Sequence, residues 1–489
     1  MPKFTLLWTD IFVYCLVAGM LLYGLRVARS PALRTAWGSV ARTTSAMCAA
    51  VVLGAFLLVG LLDSIHYRPQ LPAATGQAGA APAYAPVLRS ALDDMLSLTQ
   101  LANPESTYSA PLALRQFTKE TQLIDGQPVR DYPRLKHAGQ KLEREQDRNR
   151  DILRRAGLGA AAGLLASLAA ACLLTLCRLR WHGSPGRAWA GWWRADSGVP
   201  WRAMWLTFSI LAVVAGAAAA LALDYHVLGT DRTGNDVLRQ SLKSIRTALV
   251  IGTLTTAAML PPALVFGISA GYYKGRVDDL IQYLYTTLTS IPGVLLIAAC
   301  VLMMQVYIDN NPDLFPTVTA RADLRLFMLC LILGLTGWAG LCRLLRAETL
   351  KLRELEYVQA ARAFGVSDWR IMLRHLLPNL MHIVLITVVL EFSGLVLYEA
   401  VLSYLGIGVD PATPSFGTMI DSSRLEMSRD PMIWWNLLAA FVFMLALVLS
   451  ANIFSDAVQA AFDPRTRKLR PLRARRGVPA VPAQSREAP

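Results

Sequence analysis

The stretch EYVQAARAFGVSDWRIMLRHLLPN (residues 356–379) lies between two strongly apolar segments and has the pattern of two short amphipathic helices joined by a sharp turn. In the first half, Val358, Ala361 and Phe364 recur at helical spacing. Gly365 stands where the end of a helix favours a residue in the left-handed conformation. A folded hairpin with an apolar face, placed between two apolar segments, is typical of an element that docks onto another protein.

The second half of this stretch predicts another short helix. Ser367 is placed to cap its first turn, and Asp368 would favour the positive end of its dipole. Pro378 marks its predicted end. Four apolar side chains would share one face: Trp369, Met372, Leu373 and Leu376. The pattern alone leaves open the alternative that the segment is a helix lying on lipid headgroups.

This segment resembles the EAA loop of the permease subunits of binding-protein-dependent ABC importers. The family pattern is Glu-Ala-Ala, three residues, Gly, nine residues, Ile, one residue and Leu-Pro. The residues at matching places are Ala360, Ala361, Gly365, Leu377 and Pro378. Gln359 replaces the Glu, and His375 replaces the Ile. The resemblance implies that this loop, with Ser367 and Asp368 at its turn, fits a groove on a cytoplasmic ATPase subunit.

The composition is that of a membrane protein. Hydrophobic residues make up 54% of the 489 residues, charged residues make up 17%, and the mean hydropathy is +0.39. A membrane span needs about 20 apolar residues. Stretches of this kind lie near residues 6–26, 46–62, 156–177, 204–223, 248–271, 283–306, 326–345, 380–398 and 434–453. They predict an all-α polytopic fold, with a six-span permease core behind a three-span N-terminal extension.

Lys and Arg residues in the short loops predict the orientation. Basic segments that share one side of nine alternating spans are 27–45, 178–204, 346–379 and the tail after residue 454. By contrast, 399–433 carries five acids and two arginines. We therefore expect a cytoplasmic C-terminus and an outer N-terminus, and the resemblance implies a bacterial inner membrane. The first apolar segment lacks a small-residue cleavage site, so an uncleaved span is expected.

The net charge of +14 raises the alternative of nucleic-acid binding. Most of the excess lies beside membrane spans, where the positive-inside bias and anionic headgroups explain it. No recognition-helix, zinc-finger or RNA-binding signature accompanies it, so we expect no nucleic-acid partner. The basic tail, 466–489, is expected to be disordered.

The N-terminal region, 1–177, contains a predicted extracytoplasmic insert at 63–155. The insert begins with an Ala/Gly/Pro-rich stretch and ends in KLEREQDRNRDILRR (141–155), which should extend the third span outward as a solvated helix. Few large apolar residues are present to build a core, so a separate ligand-binding domain is not favoured. The sequence assigns no role to the insert.

The core region, 178–465, carries a second motif, LGTDRTGNDVLRQSLKSIRTAL (228–249). Gly229 and Gly234 would permit a tight polar turn. An amphipathic helix should follow and lie at the outer interface. Its apolar side chains are Val237, Leu238, Ile245 and Leu249.

This motif resembles the signature that follows the first core span of dipeptide and oligopeptide permeases. The matching residues are Gly229, Thr230, Asp231, Gly234, Asp236, Val237, Leu238 and Arg246. Asn235 replaces a usual Arg. Two further matches follow in the family's order: the Ser290-Ile291-Pro292 break, and 399–417, which resembles the periplasmic loop before the last core span. Together they indicate the second permease subunit of a peptide/nickel-type ABC importer.

The resemblance implies alternating access driven by ATP hydrolysis on separate subunits, so we expect neither enzyme activity nor a cofactor in this chain. The implied partners are two cytoplasmic ATP-binding subunits, a homologous second permease subunit and a periplasmic or lipid-anchored substrate-binding protein. Peptides are the expected substrate. Nickel or another small solute is the alternative, because specificity belongs mostly to the binding protein.

Two other functional classes lack support in the sequence. A receptor sensing through the insert would need a cytoplasmic signalling domain, and none is recognisable. A hydrolase could use Ser269 in the stretch 267–271, but this stretch lies in a predicted span and fits the close packing of helices through small residues. Gly159 and Gly163 repeat that packing pattern.

Nucleotide and metal motifs are also missing from the sequence. No lysine follows a glycine, so there is no P-loop. The six histidines have no metal-ligand spacing. His66, His137 and His226 are therefore expected to be scattered surface residues.

Glu391 lies deep in the eighth predicted span. An acid at this depth usually faces a protein interior or an aqueous path. The sequence leaves two roles open: a residue of the translocation pathway, or an acid that hydrogen-bonds between helices. Glu399, at the outer end of the same span, is expected to lie at the membrane interface.

Overall fold

The protein is described by a computed structural model that covers residues 3–70, 84–85, 87–124, 127–140, 142, 144–182, 198–312 and 317–462. The N-terminal helices are α1 (Trp8–Arg29), α2 (Pro31–Val40), α3 (Thr44–Asp63), α4 (Ala91–Ser97), α5 (Arg148–His182) and α6 (Trp201–Ala222). The central helices are α7 (Val237–Tyr273), α8 (Gly275–Ser290), α9 (Gly293–Asn310), α10 (Val318–Gly337) and α11 (Ala339–Arg353). The last helices are α12 (Glu356–Ala363), α13 (Asp368–Ile371), α14 (Leu377–Tyr404), α15 (Phe416–Met427) and α16 (Trp435–Phe462).

The short strands of the described chain all lie at the N-terminus or in the insert. Strands β1 (Lys3–Phe4), β2 (His66–Arg68) and β3 (Arg89–Ser90) form one antiparallel sheet. Strands β4 (Glu120–Ile124) and β5 (Gln127–Asp131) form a separate hairpin.

Nine helices of the described chain are long and apolar enough to cross a membrane, which confirms the predicted fold. They extend over Trp8–Arg29, Thr44–Asp63, Glu145–Leu176, Trp201–Ala222, Val237–Tyr273, Gly293–Asn310, Val318–Arg353, Asp368–Tyr404 and Trp435–Phe462. Each overlaps one of the predicted stretches. The sixth predicted stretch, 283–306, is partly misplaced, because it begins within α8 and the observed span begins only at Gly293, after the break at Ser290–Pro292.

The amphipathic helix predicted after Gly234 is not a separate element. It is the first part of α7, a single helix of 37 residues that continues as the fifth span. Val237 and Ile245 are buried in the protein instead of lying at an outer interface. The helix continues through Pro261 and Pro262, as helices in membranes can when neighbouring helices support the freed backbone groups.

Helix α7 lies at the centre of the molecule and packs on α3, α10, α11 and α14. Its glycines allow a close approach to α11. A Cβ atom at Gly267 would lie 2.9 Å from the Cys342 carbonyl oxygen, and one at Gly271 would lie 2.8 Å from that of Arg346. The stretch around Ser269 is therefore a helix-packing motif, as the spacing of small residues predicts.

The helices of the N-terminal extension pack against several helices of the core. Helix α1 packs on α10, α3 packs on α16, α7 and α6, and α5 packs along α6. The last contact is close because Gly159 and Gly163 lie against the backbone of Gly216 and Ala212. The predicted small-residue packing in the third span is thus confirmed.

The described part of the insert packs on the outer ends of the spans and does not enclose a large core of its own. Leu92, Leu96 and Leu101 lie against apolar side chains of α3, α6 and α7. Tyr108 joins the cluster around Trp435 at the start of α16. This arrangement fits the shortage of large apolar residues in the insert.

The charged end of the insert differs from its prediction. Its α-helix begins at Arg148, not at residue 141, and its first turns are not fully solvated. The Tyr225 hydroxyl donates to Asp151 at 2.8 Å, and Arg155 forms an ion pair with Asp224. These contacts tie the base of α5 to the end of α6.

Contacts between loops agree with the predicted sides of the membrane. Strand β1 pairs with β2 of the insert, which places the N-terminus on the insert's side. On the opposite side, Trp37 packs against Phe454 and Phe462 near the end of the last span. The predicted disorder of the tail concerns residues outside the described chain.

Candidate functional site

The first candidate site is the hairpin of α12 and α13, which we call the coupling hairpin (356–378). Its turn has the geometry of a Schellman motif. Gly365 has φ +73°, its N–H donates to the Arg362 carbonyl at 3.0 Å, and the Val366 N–H donates to the Ala361 carbonyl at 3.1 Å. The left-handed glycine predicted between two short helices is therefore present.

Two predictions about the second arm of the coupling hairpin were wrong. The Ser367 side chain makes no capping hydrogen bond. Pro378 does not end the arm, because a π-helical turn at Met372–Leu376 joins it directly to α14. Pro378 lies in the first turn of α14, and the whole arm continues into the eighth span as Asp368–Tyr404.

The apolar side chains of the coupling hairpin divide between two environments. Val358, Met372 and Leu376 are buried in the inner core cluster. Phe364 is 86% exposed at the turn, and Trp369 is 59% exposed. The apolar stripe predicted for the second arm is wide, so one edge packs inside the chain and the other edge is left uncovered.

Polar contacts fix the base of the coupling hairpin to neighbouring helices. The Tyr272 hydroxyl at the end of α7 donates to Asp368 at 2.6 Å. Arg353 donates to the Tyr272 carbonyl oxygen at 2.5 Å. Arg346 of α11 donates to both carboxylate oxygens of Asp278 in α8, at 2.5 and 2.7 Å, and these hydrogen bonds lower the pKa of Asp278. The hairpin is therefore tied to α7 through Asp368, and α7 is tied in turn to α11 and α11 to α8.

The second candidate site is the turn between α6 and α7, which we call the outer signature turn (229–236). Gly229 has φ +75° and Gly234 has φ +78°, as a tight polar turn requires. Asp231 accepts the backbone N–H groups of Thr233 at 2.9 Å and Asn235 at 2.8 Å. Asp236 then caps α7 by accepting the Arg239 N–H at 3.0 Å.

The insert is seated directly on the outer signature turn. The Thr230 hydroxyl accepts the Ser109 N–H at 2.7 Å and donates to the Thr107 carbonyl at 2.9 Å. A Cβ atom at Gly234 would overlap the Glu105 backbone. From the sequence, a glycine at 234 was expected only because the turn needs positive φ. The close approach of the insert is a second reason why this position has no side chain.

His226 was predicted to lie at the surface, but the structure buries it. Its side chain is fully buried, with Nδ1 2.7 Å from Asp236 and Nε2 3.5 Å from Glu105. Burial alone would lower the pKa of His226, but the hydrogen bonding and charge of these two acids raise it to about 9. Among the described residues, these groups do not form a metal site.

Glu105 completes this cluster from the insert. Burial opposes its ionisation, but His226 and the N–H groups of Lys136 and His137, at 2.8 and 2.7 Å, lower its pKa to about 2. Sequence reasoning missed the cluster because Glu105 and His226 are far apart in the chain. The available signal was a run of polar residues, 224–226, directly after an apolar span.

Arg246, a residue of the outer signature, connects the core to the N-terminal extension. It is buried and donates to Asp10 of α1 at 2.6 Å and to Thr9 at 2.7 Å. It also donates to the Ser64 hydroxyl at 3.3 Å. Thr9 in turn donates to Asp323 of α10 through its backbone N–H at 3.2 Å. One guanidinium thus joins α7 to two elements of the extension.

The two acids of α14 have different surroundings. Glu391 is half-buried and makes no hydrogen bond or ion pair with another described residue. Glu399, near the outer end of the same helix, is only 2% exposed and accepts the Ser403 hydroxyl at 2.7 Å, so it is enclosed by protein. Burial of Glu399 follows from the first turn of α15, where Gly417 lies against its carboxylate.

Ser269 lines an apolar pocket of about 470 Å³ beside the coupling hairpin. The lining also includes Trp369 and Leu373 but neither a histidine nor an acid. A serine nucleophile needs a base within hydrogen-bond reach. The pocket therefore gives no support to a hydrolase.

Comparison with known proteins places these features in a family context. Residues 263–468 match the family described as binding-protein-dependent transport system inner membrane component. This segment contains the coupling hairpin and Glu391.

Curated relatives resemble about half of the chain. The dipeptide transport system permease protein DppC of Lactococcus lactis subsp. cremoris is 27% identical over 242 residues, 50% of this chain and 64% of that protein. The oligopeptide transport system permease protein OppC of Mycobacterium tuberculosis (strain H37Rv) is 31% identical over 245 residues, 50% of this chain and 78% of that protein. The di/tripeptide transport system permease protein DppC of Pseudomonas aeruginosa is 32% identical over 239 residues, 49% of this chain and 72% of that protein.

Proposed function

This chain belongs to the family of binding-protein-dependent transport system inner membrane components, and we propose that it forms half of the translocation pathway of an ATP-driven peptide importer. Nine apolar helices in the described chain agree with a multi-pass inner-membrane protein. ATP hydrolysis would take place on two separate cytoplasmic subunits. A homologous second permease subunit and a periplasmic or lipid-anchored binding protein would complete the importer.

The coupling hairpin is the observation that carries this proposal. Phe364 at its turn and Trp369 in α13 are exposed, although both side chains are large and apolar. Exposed apolar side chains on a rigid turn are suited to insertion into a groove of another protein. On the predicted topology this turn faces the cytoplasm, where the ATP-binding subunits would be.

The connections of the hairpin suggest how movement reaches the pathway. A displacement at Phe364 would pass through the Gly365 turn to Asp368, and from there to α7 through the Tyr272 hydroxyl. It would also pass along the helix Asp368–Tyr404, which carries Glu391 in its membrane-spanning part. A rigid connection of this kind would let nucleotide-driven movements open and close the pathway.

Peptides are favoured as the substrate because the relatives are named for dipeptide, oligopeptide or di/tripeptide transport. Nickel or another small solute remains the alternative. A receptor that senses through the insert is less favoured, because the insert packs on the outer signature turn of the permease core.

The test of coupling is the substitution Gly365→Val. No atom lies within 4 Å of the position where its Cβ would be, so the effect would come from backbone strain at φ +73° and not from a clash. We expect Gly365→Val to insert in the membrane at normal levels but to lose binding of the ATP-binding subunits and peptide uptake. Copurification of those subunits and uptake of labelled trialanine in the same strain measure both effects.

Gly365→Asn is the matched control, because asparagine tolerates the left-handed conformation better than other residues with side chains. It should retain most of the uptake. Wild-type uptake by a stably inserted Gly365→Val protein would contradict the coupling role of the hairpin.

A further inference from the structure

A polar cavity on the outer side of the molecule has no role in the function proposed so far. It has a volume of about 510 Å³ and lies between the outer signature turn, the first turns of α7, the loop before α15, and α15 itself. Small-molecule sites typically occupy about 300–1,000 Å³. Exposed lining residues such as Arg232 and Ser422 make the cavity accessible from the outer side.

One wall of this cavity holds a buried carboxylate that is only partly paired. Glu426 is 1% exposed, and its Oε2 accepts the Asn436 amide at 3.2 Å. Its Oε1 is buried without a hydrogen-bond partner among the described residues. Burial raises the pKa of the Glu426 carboxyl, and the Asn436 amide and the nearby Tyr108 hydroxyl oppose that rise. An unpaired atom such as Oε1 is costly to bury unless something binds it. Asp231 adds a second negative charge to the same lining.

The cavity also presents cationic groups. Arg239 donates through Nη2 to Asp93 at 2.8 Å, but its buried Nε has no hydrogen-bond partner in the described chain. Arg232 is exposed and forms no hydrogen bond or ion pair with a described residue. Guanidinium groups with free N–H donors bind carboxylates well. The cavity lining therefore contains one carboxylate and two guanidinium groups that still have hydrogen-bonding capacity: Glu426, Arg232 and Arg239.

We propose that this cavity binds the zwitterionic backbone of a short peptide, with Glu426 accepting from the α-ammonium group and Arg232 and Arg239 donating to the α-carboxylate. This inference rests on the proposed function, since it takes a peptide as the transported solute. It goes beyond that function by assigning an outer binding site to the permease itself, in addition to any site on the binding protein. The site would select peptides with two free ends.

Equilibrium binding to the assembled importer in lipid nanodiscs, without the binding protein, tests this site. The probe is radiolabelled trialanine at pH 7, with N-acetyl-trialanine, trialanine amide and free alanine as competitors. In the wild type, blocking either end should weaken binding about tenfold or more, because each charged end loses a charge-assisted hydrogen bond. Free alanine should also compete at least tenfold more weakly.

Two variants separate the ends of the peptide. Glu426→Gln should weaken trialanine binding about tenfold and leave N-acetyl-trialanine unchanged. Arg232→Gln should weaken the binding of trialanine but not of trialanine amide. Because Arg232 is exposed, this substitution leaves the folded core untouched. Asp421→Asn is the matched control, since Asp421 is an acid of the same helix that does not line the cavity.

The outcomes separate this site from the proposed function. If the wild-type importer with its binding protein does not take up trialanine, both ideas fail. If uptake is normal but both variants keep the wild-type penalties for blocked ends, the site alone is overturned. Equal competition by free alanine and trialanine would overturn the assignment to peptides.

Discussion

At the residue scale, His226 shows how one buried side chain can link the insert to the permease core. Its ring lies between Asp236, which caps α7, and Glu105, which belongs to the insert. A cation between two carboxylates is stable in a protein interior only while its partners stay in place. The cluster therefore couples the position of the insert to the start of the central helix.

The first prediction concerns the pH dependence of this contact. The pKa of His226 is raised from 6.5 to about 9, so its contribution to the seating of the insert is fully present below pH 6.5 and is lost as the pH rises through about 9. The pKa of Glu105 is lowered from 4.5 to about 2, so its contribution is present above pH 4.5 and is lost as the pH falls toward 2. We expect the firmest seating between those limits, at pH 4.5 to 6.5.

Hydrogen exchange of residues 105–110, corrected for the intrinsic rate, measures this seating. Protection should fall between pH 7 and pH 10 in the wild type. His226→Gln should be less protected at pH 6 and should show little further change across that range. A wild-type protection that stays constant up to pH 10 would show that the charge on His226 does not hold the insert.

The second prediction concerns Glu391. Its lack of a partner in the described chain favours the pathway role over hydrogen bonding between helices of this chain. We expect Glu391→Gln and Glu391→Leu to assemble at normal levels, because neither change leaves a partner group unsatisfied. Uptake should change in rate or in preference for peptide charge, measured with trialanine and with peptides carrying Lys or Glu. Normal uptake by both variants would exclude a pathway role.

At the scale of elements, the coupling hairpin shows which features a sequence can predict. The turn at Gly365 depends on a local requirement for positive φ, so a glycine between two amphipathic patterns was sufficient. The junction with α14 was predicted wrongly. Pro378 was expected to end the second arm, because proline usually interrupts a helix. Burial of Met372 and Leu376 in the inner core favours the continuous path through a π-helical turn. That preference depends on tertiary packing, which local signals do not contain.

The outer signature turn has the same division between local and tertiary causes. Gly229 and Gly234 identified the turn, and Asp236 was included among its residues. The seating of the insert on this turn could not be predicted, since Glu105 and Ser109 are separated from it by more than a hundred residues. From the sequence alone, no role could be assigned to the insert.

The third prediction tests the close approach of the insert. At Gly234, φ is +78° and a Cβ atom would overlap the Glu105 backbone. Gly234→Ala should therefore displace the insert and destabilise its docking by more than about 1 kcal/mol. Faster hydrogen exchange of residues 101–110 would show the displacement. Gly275→Ala is the control, because Gly275 also has positive φ but no atom within 4 Å of its Cβ position. Equal exchange of residues 101–110 in both variants would mean that the close approach at Gly234 does not hold the insert in place.

At the scale of the whole molecule, apolar length predicted the nine spans, but nothing in the sequence predicted how the extension is arranged. Arg246 of α7 donates to Asp10 and Thr9 of α1, and Thr9 donates in turn to Asp323 of α10. A charged residue at the end of a span has many potential partners in a sequence. Only the fold decides which of them lie within reach.

The last prediction tests the orientation of the nine spans through cysteine labelling. Ser106 in the insert, Ser428 after α15 and Ser367 in the coupling hairpin are all exposed, so a cysteine at each site should be reachable by an impermeant thiol reagent. The first two lie on the side that carries the outer signature turn, and Ser367 lies on the opposite side. In intact spheroplasts, cysteines at 106 and 428 should react, while a cysteine at 367 should react only after permeabilisation.

The unmodified chain is the control, because its own cysteines lie in or beside apolar spans. If 106 reacts only after permeabilisation while 428 keeps its expected behaviour, the orientation of the N-terminal spans is wrong. Reversal at all three sites would reverse the whole topology and would remove the coupling hairpin from the cytoplasm.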